Sequence, residues 1–335
     1  MLALQLACGG WIASAVGAAA RLGIADLLDD GPRSAADLAQ ATSTVAAVLS
    51  RVLNLLAAVE LFEATPDGRY SNTEHSQALR SGDPHSMRNF CMLAAGEYQA
   101  GFGELMHCLE TGESAFPKVF GGSVYEYMAR TPNAAAVYDR AMDDLTRPVG
   151  ALLAEMRDWS AGDLAVDVGG GRGTLLKSLL GAAPLLRGLC VDRADVCARA
   201  TEDLKTETPD LADRLRFVSG DIFGDLPGNG DFYILKNVLH NWNDTSSPKI
   251  LGALRRAMAS KLDARLLVIE PLAAVAAPNT HQAVDDLMQM VICETGTTAR
   301  NLAQMHNLLE DAGFTVVEVN PMRTGHTLME AIPTV

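Results

Sequence analysis

Short apolar runs at residues 164–168, 188–191, 215–218, 232–235 and 265–269 alternate with longer stretches of helical period. That alternation predicts βαβ units built around a mostly parallel sheet. Two later runs, 314–319 and 327–332, are joined by a turn with no room for a helix, which predicts an antiparallel hairpin at one sheet edge. Before residue 150 the pattern is helix after helix, interrupted at Asp30-Gly31-Pro32, Asp67-Gly68 and Gly82-Asp83-Pro84. The expected organisation is a mainly helical domain over 1–150, followed by an α/β, doubly wound domain over 151–335.

Inside the helical half, residues 34–80 have a finer grammar. Ser34 and Asp37 form a capping box, a hydroxyl and an acid three residues apart that satisfy free backbone N–H groups, for a helix through Gln40. A second helix is expected from about Ser43, with Val45, Val48, Leu49, Val52, Leu55, Leu56 and Val59 at helical spacing. The chain then turns through Phe62-Glu63-Ala64 and Asp67-Gly68-Arg69-Tyr70, a β-wing. This is a winged-helix pattern, and such folds often bind DNA. The presumptive recognition segment, residues 41–59, carries a single basic residue, Arg51. Recognition helices need several Lys or Arg to reach phosphates and bases, so a structural, dimer-forming role is the better expectation.

Charge extends that conclusion. The 335 residues include 27 Lys plus Arg against 41 Asp plus Glu, a formal charge of −14, with no basic run. Neither nucleic acid nor an anionic membrane is an expected partner. Residues 1–20 are apolar but lack a basic leader and include Gln5, Gly9, Gly10 and Gly17, which argues against a signal peptide or a membrane span. Trp11, Ile12 and Val16 would leave an exposed patch on a monomer, so a homodimer through the N-terminal helices is expected. The six cysteines, at 8, 91, 108, 190, 197 and 293, form no C-x-x-C pair, and they are expected to be reduced thiols of a cytoplasmic protein.

The strongest local signal is Val166-Asp167-Val168-Gly169-Gly170-Gly171-Arg172-Gly173-Thr174, an apolar strand entering a glycine-rich turn and then a helix. Glycines there let a nucleotide-like cofactor approach the backbone. The last glycine of the dinucleotide pattern G-x-G-x-x-G is replaced by Thr174, so the fit to NAD is imperfect. Asp192, ending the next strand, is placed to accept both ribose hydroxyls, a feature shared by NAD and S-adenosylmethionine sites. Asp221, with Ile222 beside it after the third strand, adds an acid and an apolar neighbour where an adenine fits.

The fourth strand leads into Leu235-Lys236-Asn237-Val238-Leu239-His240-Asn241-Trp242-Asn243-Asp244. His240 falls after a buried strand and before a helix from about Thr245. At that end of a doubly wound sheet ligands bind, and an imidazole can take a proton from a phenol. Of the seven histidines, this one alone has such a context.

With these segments in view, the sequence resembles the class I S-adenosylmethionine-dependent O-methyltransferases of the caffeate, flavonoid and bacterial polyketide type over almost the whole chain. Four blocks carry the resemblance: Leu22-Gly23-Ile24-Ala25-Asp26-Leu27-Leu28, the glycine loop at 167–173, residues 235–244, and Leu308-Leu309-Glu310-Asp311-Ala312-Gly313-Phe314. The resemblance implies a Rossmann-like sheet preceded by a winged-helix dimerisation domain, with S-adenosylmethionine as methyl donor. It implies His240 as general base and Glu270 as the acid that orients it. Asp167, Gly169, Gly170, Gly171, Asp192, Asp221, Ile222, Lys236, Trp242 and Met142 would hold the cofactor, Trp242 by stacking on the adenine. Asn237, Asp286, Met290 and Cys293, with Met92 and Tyr98, would line the acceptor pocket.

Plant members carry a second acid in a Glu-Arg-Thr signature, where this chain reads Thr298-Ala299-Arg300-Asn301. Glu294 is the nearest acid. Relatives of this architecture that bind the cofactor and perform hydroxylation, decarboxylation or pericyclic reactions supply the alternative reading, with an NAD-dependent oxidoreductase a weaker one. No metal-ligand spacing is present, so metal-independent transfer to a small aromatic or polyketide-like acceptor is expected.

Overall fold

The computed structural model describes residues 2–159, 163–261, 263–274 and 279–334. It separates into two units, Met1–Gly103 with Thr131–Leu145, and Glu104–Arg130 with Thr146–Val335. The single boundary expected near residue 150 is thus replaced by an interleaved division. The cause is local packing: Ser114 donates to the Val291 carbonyl at 2.9 Å, and the helix Ala115–Phe120 buries Ala115 and Phe116.

In the first unit a three-stranded antiparallel sheet has the order β1-β3-β2, with β1 Arg33–Ser34, β2 Phe62–Ala64 and β3 Arg69–Asn72. The capping box forms as expected, Ser34 Oγ accepting from Asp37 N–H, ahead of the helix Ala35–Thr42. Ser43 does not open the second helix. It closes the first in a left-handed conformation (φ 53°), and the next helix is Ala46–Ala58. Leu38, Leu49, Leu53, Leu56 and Phe62 form the core of the wing, while Tyr70 donates to Asn54 Oδ1 at 2.7 Å. Of the residues expected to form an exposed apolar patch, Trp11 is 71% exposed, while Ile12 and Val16 are partly buried; Leu2, Leu4 and Leu6 add apolar surface not named from the sequence.

The second unit contains a seven-stranded sheet of order β6-β5-β4-β7-β8-β10-β9. Its strands are β4 Leu164–Val168, β5 Arg187–Asp192, β6 Leu215–Ser219, β7 Phe232–Lys236, β8 Arg265–Glu270, β9 Phe314–Pro321 and β10 Thr327–Pro333. β4 to β8 are parallel, and the hairpin β9–β10 adds antiparallel at the β8 edge. Both faces are covered, which is why these strands are nearly continuous apolar runs. Along β7 the side chains alternate between two cores: Tyr233 and Leu235 join one cluster, Phe232 and Ile234 the other. Among the described residues no single helix is long and apolar enough to cross a membrane.

Candidate active site

The candidate residues on the sheet lie where the parallel strands end, the edge at which doubly wound sheets bind ligands. β4 delivers Asp167 and runs into the glycine turn, and β5 delivers Asp192. Gly169 and Gly171 have φ of 74° and 58°, the left-handed region that favours glycine, and an added Cβ on Gly171 would meet nothing within 4 Å. At Gly170 the reason is space: a Cβ there would lie 2.5 Å from Asp167 Oδ2 and 2.7 Å from Cys190 Sγ. Asp192 Oδ2 accepts from Gly171 N–H at 2.9 Å and Oδ1 from Arg193 N–H at 2.7 Å, which fixes the carboxylate against the turn.

Asp167 is buried and Asp192 partly buried. Burial, helped by the neighbouring Asp192, pushes Asp167 up to about 7 despite the opposing Lys236, and burial also raises Asp192. A buried carboxyl and a partly buried one, both held above their ordinary range beside an open glycine turn, suit a cationic ligand and disfavour an anionic pyrophosphate. On that ground the residues fit S-adenosylmethionine better than NAD.

Beyond β7 the chain makes a tight turn. Asn237 adopts φ 54°, tolerated by Asn, and the short helical turn Leu239–Asn241 follows. Glu270, at the end of β8, is 1% exposed. Its Oε1 accepts from Val238 N–H at 3.0 Å and Leu239 N–H at 2.8 Å, and its Oε2 faces His240 Nδ1 at 3.7 Å. Among the described residues neither of those two facing atoms has a hydrogen-bond partner. Burial pushes His240 down to about 3, with Lys236 and His326 acting the same way, and pushes Glu270 up to about 7. At neutral pH the imidazole is therefore uncharged. Lys236 is lowered by burial to about 8 and supported by Glu270 and Asp167, and it donates to Thr146 Oγ1 at 3.3 Å.

Trp242 stacks on Tyr125, with ring centroids 5.6 Å apart and planes 18° apart, and meets the edge of Phe223 at 4.8 Å. Ile222 and Phe223 pack on the same core cluster. Asp221 is exposed and accepts from Phe223 N–H at 3.0 Å, so in this structure its carboxylate caps its own turn.

The expected acceptor residues are distributed unevenly. Asn237 is bonded through Oδ1 to His326 Nε2 at 3.1 Å, and Cys293 Sγ contacts Asn241 Oδ1 at 3.2 Å, its thiol pushed by burial up to about 12. Asp286 and Met290 lie on the helix Thr280–Ile292; Asp286 is exposed and accepts from Ala299 N–H at 3.0 Å. Met92, Tyr98 and Met142 belong to the first unit. Glu294 Oε2 accepts from Asn243 N–H and Oε1 from the Ser246 hydroxyl, both at 2.8 Å, which ties this acid to the segment after Trp242.

Two residues escaped the sequence reading. His326, in the turn between β9 and β10, is a second, partly buried imidazole beside Lys236 and Asn237, pushed by desolvation down to about 4. His240 is thus not alone in its setting, and no local motif around Thr324-Gly325-His326 announced it. Arg300, 6% exposed, bonds the carbonyls of Leu239 and Trp242 and the side chains of Asp244 and Ser247. Its place in the stretch Thr298-Ala299-Arg300-Asn301, which aligns with a family signature, was the signal available in the sequence.

Comparison with known proteins identifies the family. Residues 102–315 match the O-methyltransferase domain and residues 4–82 the O-methyltransferase dimerisation domain, which supports a homodimer. A phenazine O-methyltransferase of Lysobacter antibioticus is 33% identical over 330 residues, covering 98% of this chain and 95% of the relative. A phenazine-1-carboxylate N-methyltransferase of Pseudomonas aeruginosa is 31% identical over 325 residues, covering 96% and 94%. The solved structure of an O-methyltransferase from neocarzinostatin biosynthesis, in complex with S-adenosylmethionine and 2-hydroxy-5-methyl naphthoic acid, superposes with a TM-score of 0.79 at 32% identity, covering 96% of this chain and 95% of that one. This chain belongs to the S-adenosylmethionine-dependent O-methyltransferases of natural-product biosynthesis.

Proposed function

We propose that the enzyme methylates a phenolic hydroxyl of a small aromatic natural product without a metal, with His240 as general base. The observation that carries this is the facing pair His240 Nδ1 and Glu270 Oε2, both buried and 3.7 Å apart. Asp192 would hold the ribose, Asp167, Lys236 and the glycine turn the methionine part, and Ile222 and Trp242 the adenine, with Asp221 and Met142 as further contacts. Bound S-adenosylmethionine supplies an electrophilic methyl on a sulfonium.

The residues of the chain handle position and the proton. With Nδ1–H directed at Glu270, Nε2 presents its lone pair and takes the phenolic proton. The imidazolium so formed is stabilised by the Glu270 carboxylate, whose other oxygen is anchored by two backbone N–H groups. A ring movement of under 1 Å brings 3.7 Å into hydrogen-bond range, as catalytic contacts commonly tighten once substrate is bound. Asn237, Asp286, Met290 and Cys293 are the proposed acceptor contacts.

The test is a screen of hydroxylated phenazines and 2-hydroxy-5-methyl naphthoic acid with methyl-labelled S-adenosylmethionine, with and without EDTA. The expected product carries the label on oxygen, EDTA has no effect, and His240→Asn lowers kcat by about 10²–10⁴ with cofactor affinity unchanged. Label on nitrogen would overturn the phenolic acceptor, and cofactor binding without methyl transfer across the panel would favour the non-methylating alternative.

A further inference from the structure

We propose that Arg300 is a positioning residue for His240, clamping the carbonyl side of the turn whose N–H side Glu270 holds. The inference rests on the reading of His240 as the base. Arg300 Nη1 donates to Leu239 O at 2.9 Å, and Nη2 donates to Trp242 O at 2.7 Å and Ser247 Oγ at 3.1 Å. Leu239 directly precedes His240 and Trp242 lies two residues beyond it, so the acceptors bracket the imidazole. Ser247 Oγ itself donates to Trp242 O at 3.0 Å, tying the turn to the helix Ser247–Ala257.

The clamp has a fixed base. Ala273 N–H donates to Arg300 O at 2.9 Å, Ala299 N–H to Asp286 Oδ1 at 3.0 Å, and Asn301 with Gln304 forms the capping box of Leu302–Asp311. Only a planar fork with five donors reaches acceptors in these directions at once, which a lysine ammonium cannot do. Nε and Nη2 also meet Asp244, whose side chain is 84% exposed, so the buried contacts and not this ion pair carry the positioning. The stretch that has Ala299 in place of the family acid thus retains a function through its arginine.

The charged and titratable groups facing His240 are Lys236, Glu270, His326 and Arg300. Loosening the turn admits water and relieves burial, the largest cause holding His240 neutral; His326 has no such dependence on Arg300. The experiment is NMR of ring-labelled histidine in the full chain with S-adenosylhomocysteine added, signals assigned by His240→Asn and His326→Asn. It is combined with hydrogen exchange of the amides of residues 239–242. In Arg300→Ala, His240 is expected to begin titrating above pH 5, where the native imidazole stays neutral, and the amides to exchange at least tenfold faster, with His326 unchanged. Arg300→Lys keeps the charge and loses the fork: exchange is expected at least fivefold faster, and His240 is expected to begin titrating above pH 5 as well, to a smaller extent than in Arg300→Ala.

Native-like exchange and titration in Arg300→Ala would overturn the proposal, as would equal shifts of His240 and His326, which mark general loosening. Should Arg300→Ala fail to fold, native exchange in Arg300→Lys would overturn it. No acceptor is involved, so this result and the effect of His240→Asn on transfer can fail separately.

Discussion

Replacing Glu270 by glutamine separates catalysis from stability, because the two should move in opposite directions. In Glu270→Gln the amide oxygen can keep the Val238 and Leu239 N–H groups, but the NH2 group then faces His240 Nδ1. That nitrogen must become an acceptor, the ring proton moves to Nε2, and the base can no longer receive the phenolic proton. Forcing the wrong tautomer in a Ser-His-Asp triad costs about 10⁴ in kcat, and general-base help as a whole is worth about 10²–10⁴, so a loss of about 10³ is expected.

Stability has the other sign. The Glu270 carboxyl is raised from 4.5 to about 7 by burial. A raised folded-state pKa stabilises fully below the unfolded value, and that contribution is lost as pH climbs through 7. At 1.36 kcal/mol per pKa unit the ionised acid costs roughly 3 kcal/mol above pH 7, a burden the amide does not carry. The amide's own desolvation, roughly 1–3 kcal/mol, is independent of pH and cancels between conditions. Urea unfolding should therefore show the variant gaining roughly 2–3 kcal/mol relative to the native enzyme from pH 5 to pH 8, while single-turnover release of S-adenosylhomocysteine falls. A kcat within tenfold of native, or a variant that loses ground as pH rises, would refute the reasoning.

Two further outcomes follow from the cofactor turn. Gly170→Ala places a Cβ 2.6 Å from Asp167 Cγ and 2.7 Å from Cys190 Sγ, so a cost of roughly 1–3 kcal/mol is expected, read as a lowered melting temperature; an unchanged melting curve would show that the buried acid can yield. Asp192→Ala removes a carboxylate placed for the ribose, and one charge-assisted hydrogen bond is worth roughly 1.5–3 kcal/mol. Calorimetry should then show S-adenosylmethionine binding roughly 10- to 150-fold weaker, and native affinity would remove Asp192 from the site.

The legible parts of the molecule were those encoded over short distances. Strands covered on both faces are near-continuous apolar runs, so residues 164–168 and 232–235 announced themselves, and the Ser34–Asp37 box is spelled in four letters. His240 and Glu270 were found through motif resemblance, and the structure places them face to face. What could not be read is what closes over long separations. His326 reaches Asn237 across 89 positions, and Arg300 reaches Leu239 across 61. Whether Glu294 replaces the missing family acid could not be read from its position, because its partners Asn243 and Ser246 lie 51 and 48 residues away. Asp221 was legible as an acid following a strand, and its carboxylate accepts from Phe223 N–H, a local contact common at such positions.

The acid at the end of β4 makes the charge of the glycine turn a function of pH. Burial and the neighbouring Asp192 raise Asp167 to about 7, so its carboxyl changes charge around neutrality. A cation bound at the turn would favour the ionised form, so the affinity of the turn for a positive ligand should climb as pH rises through the neutral range.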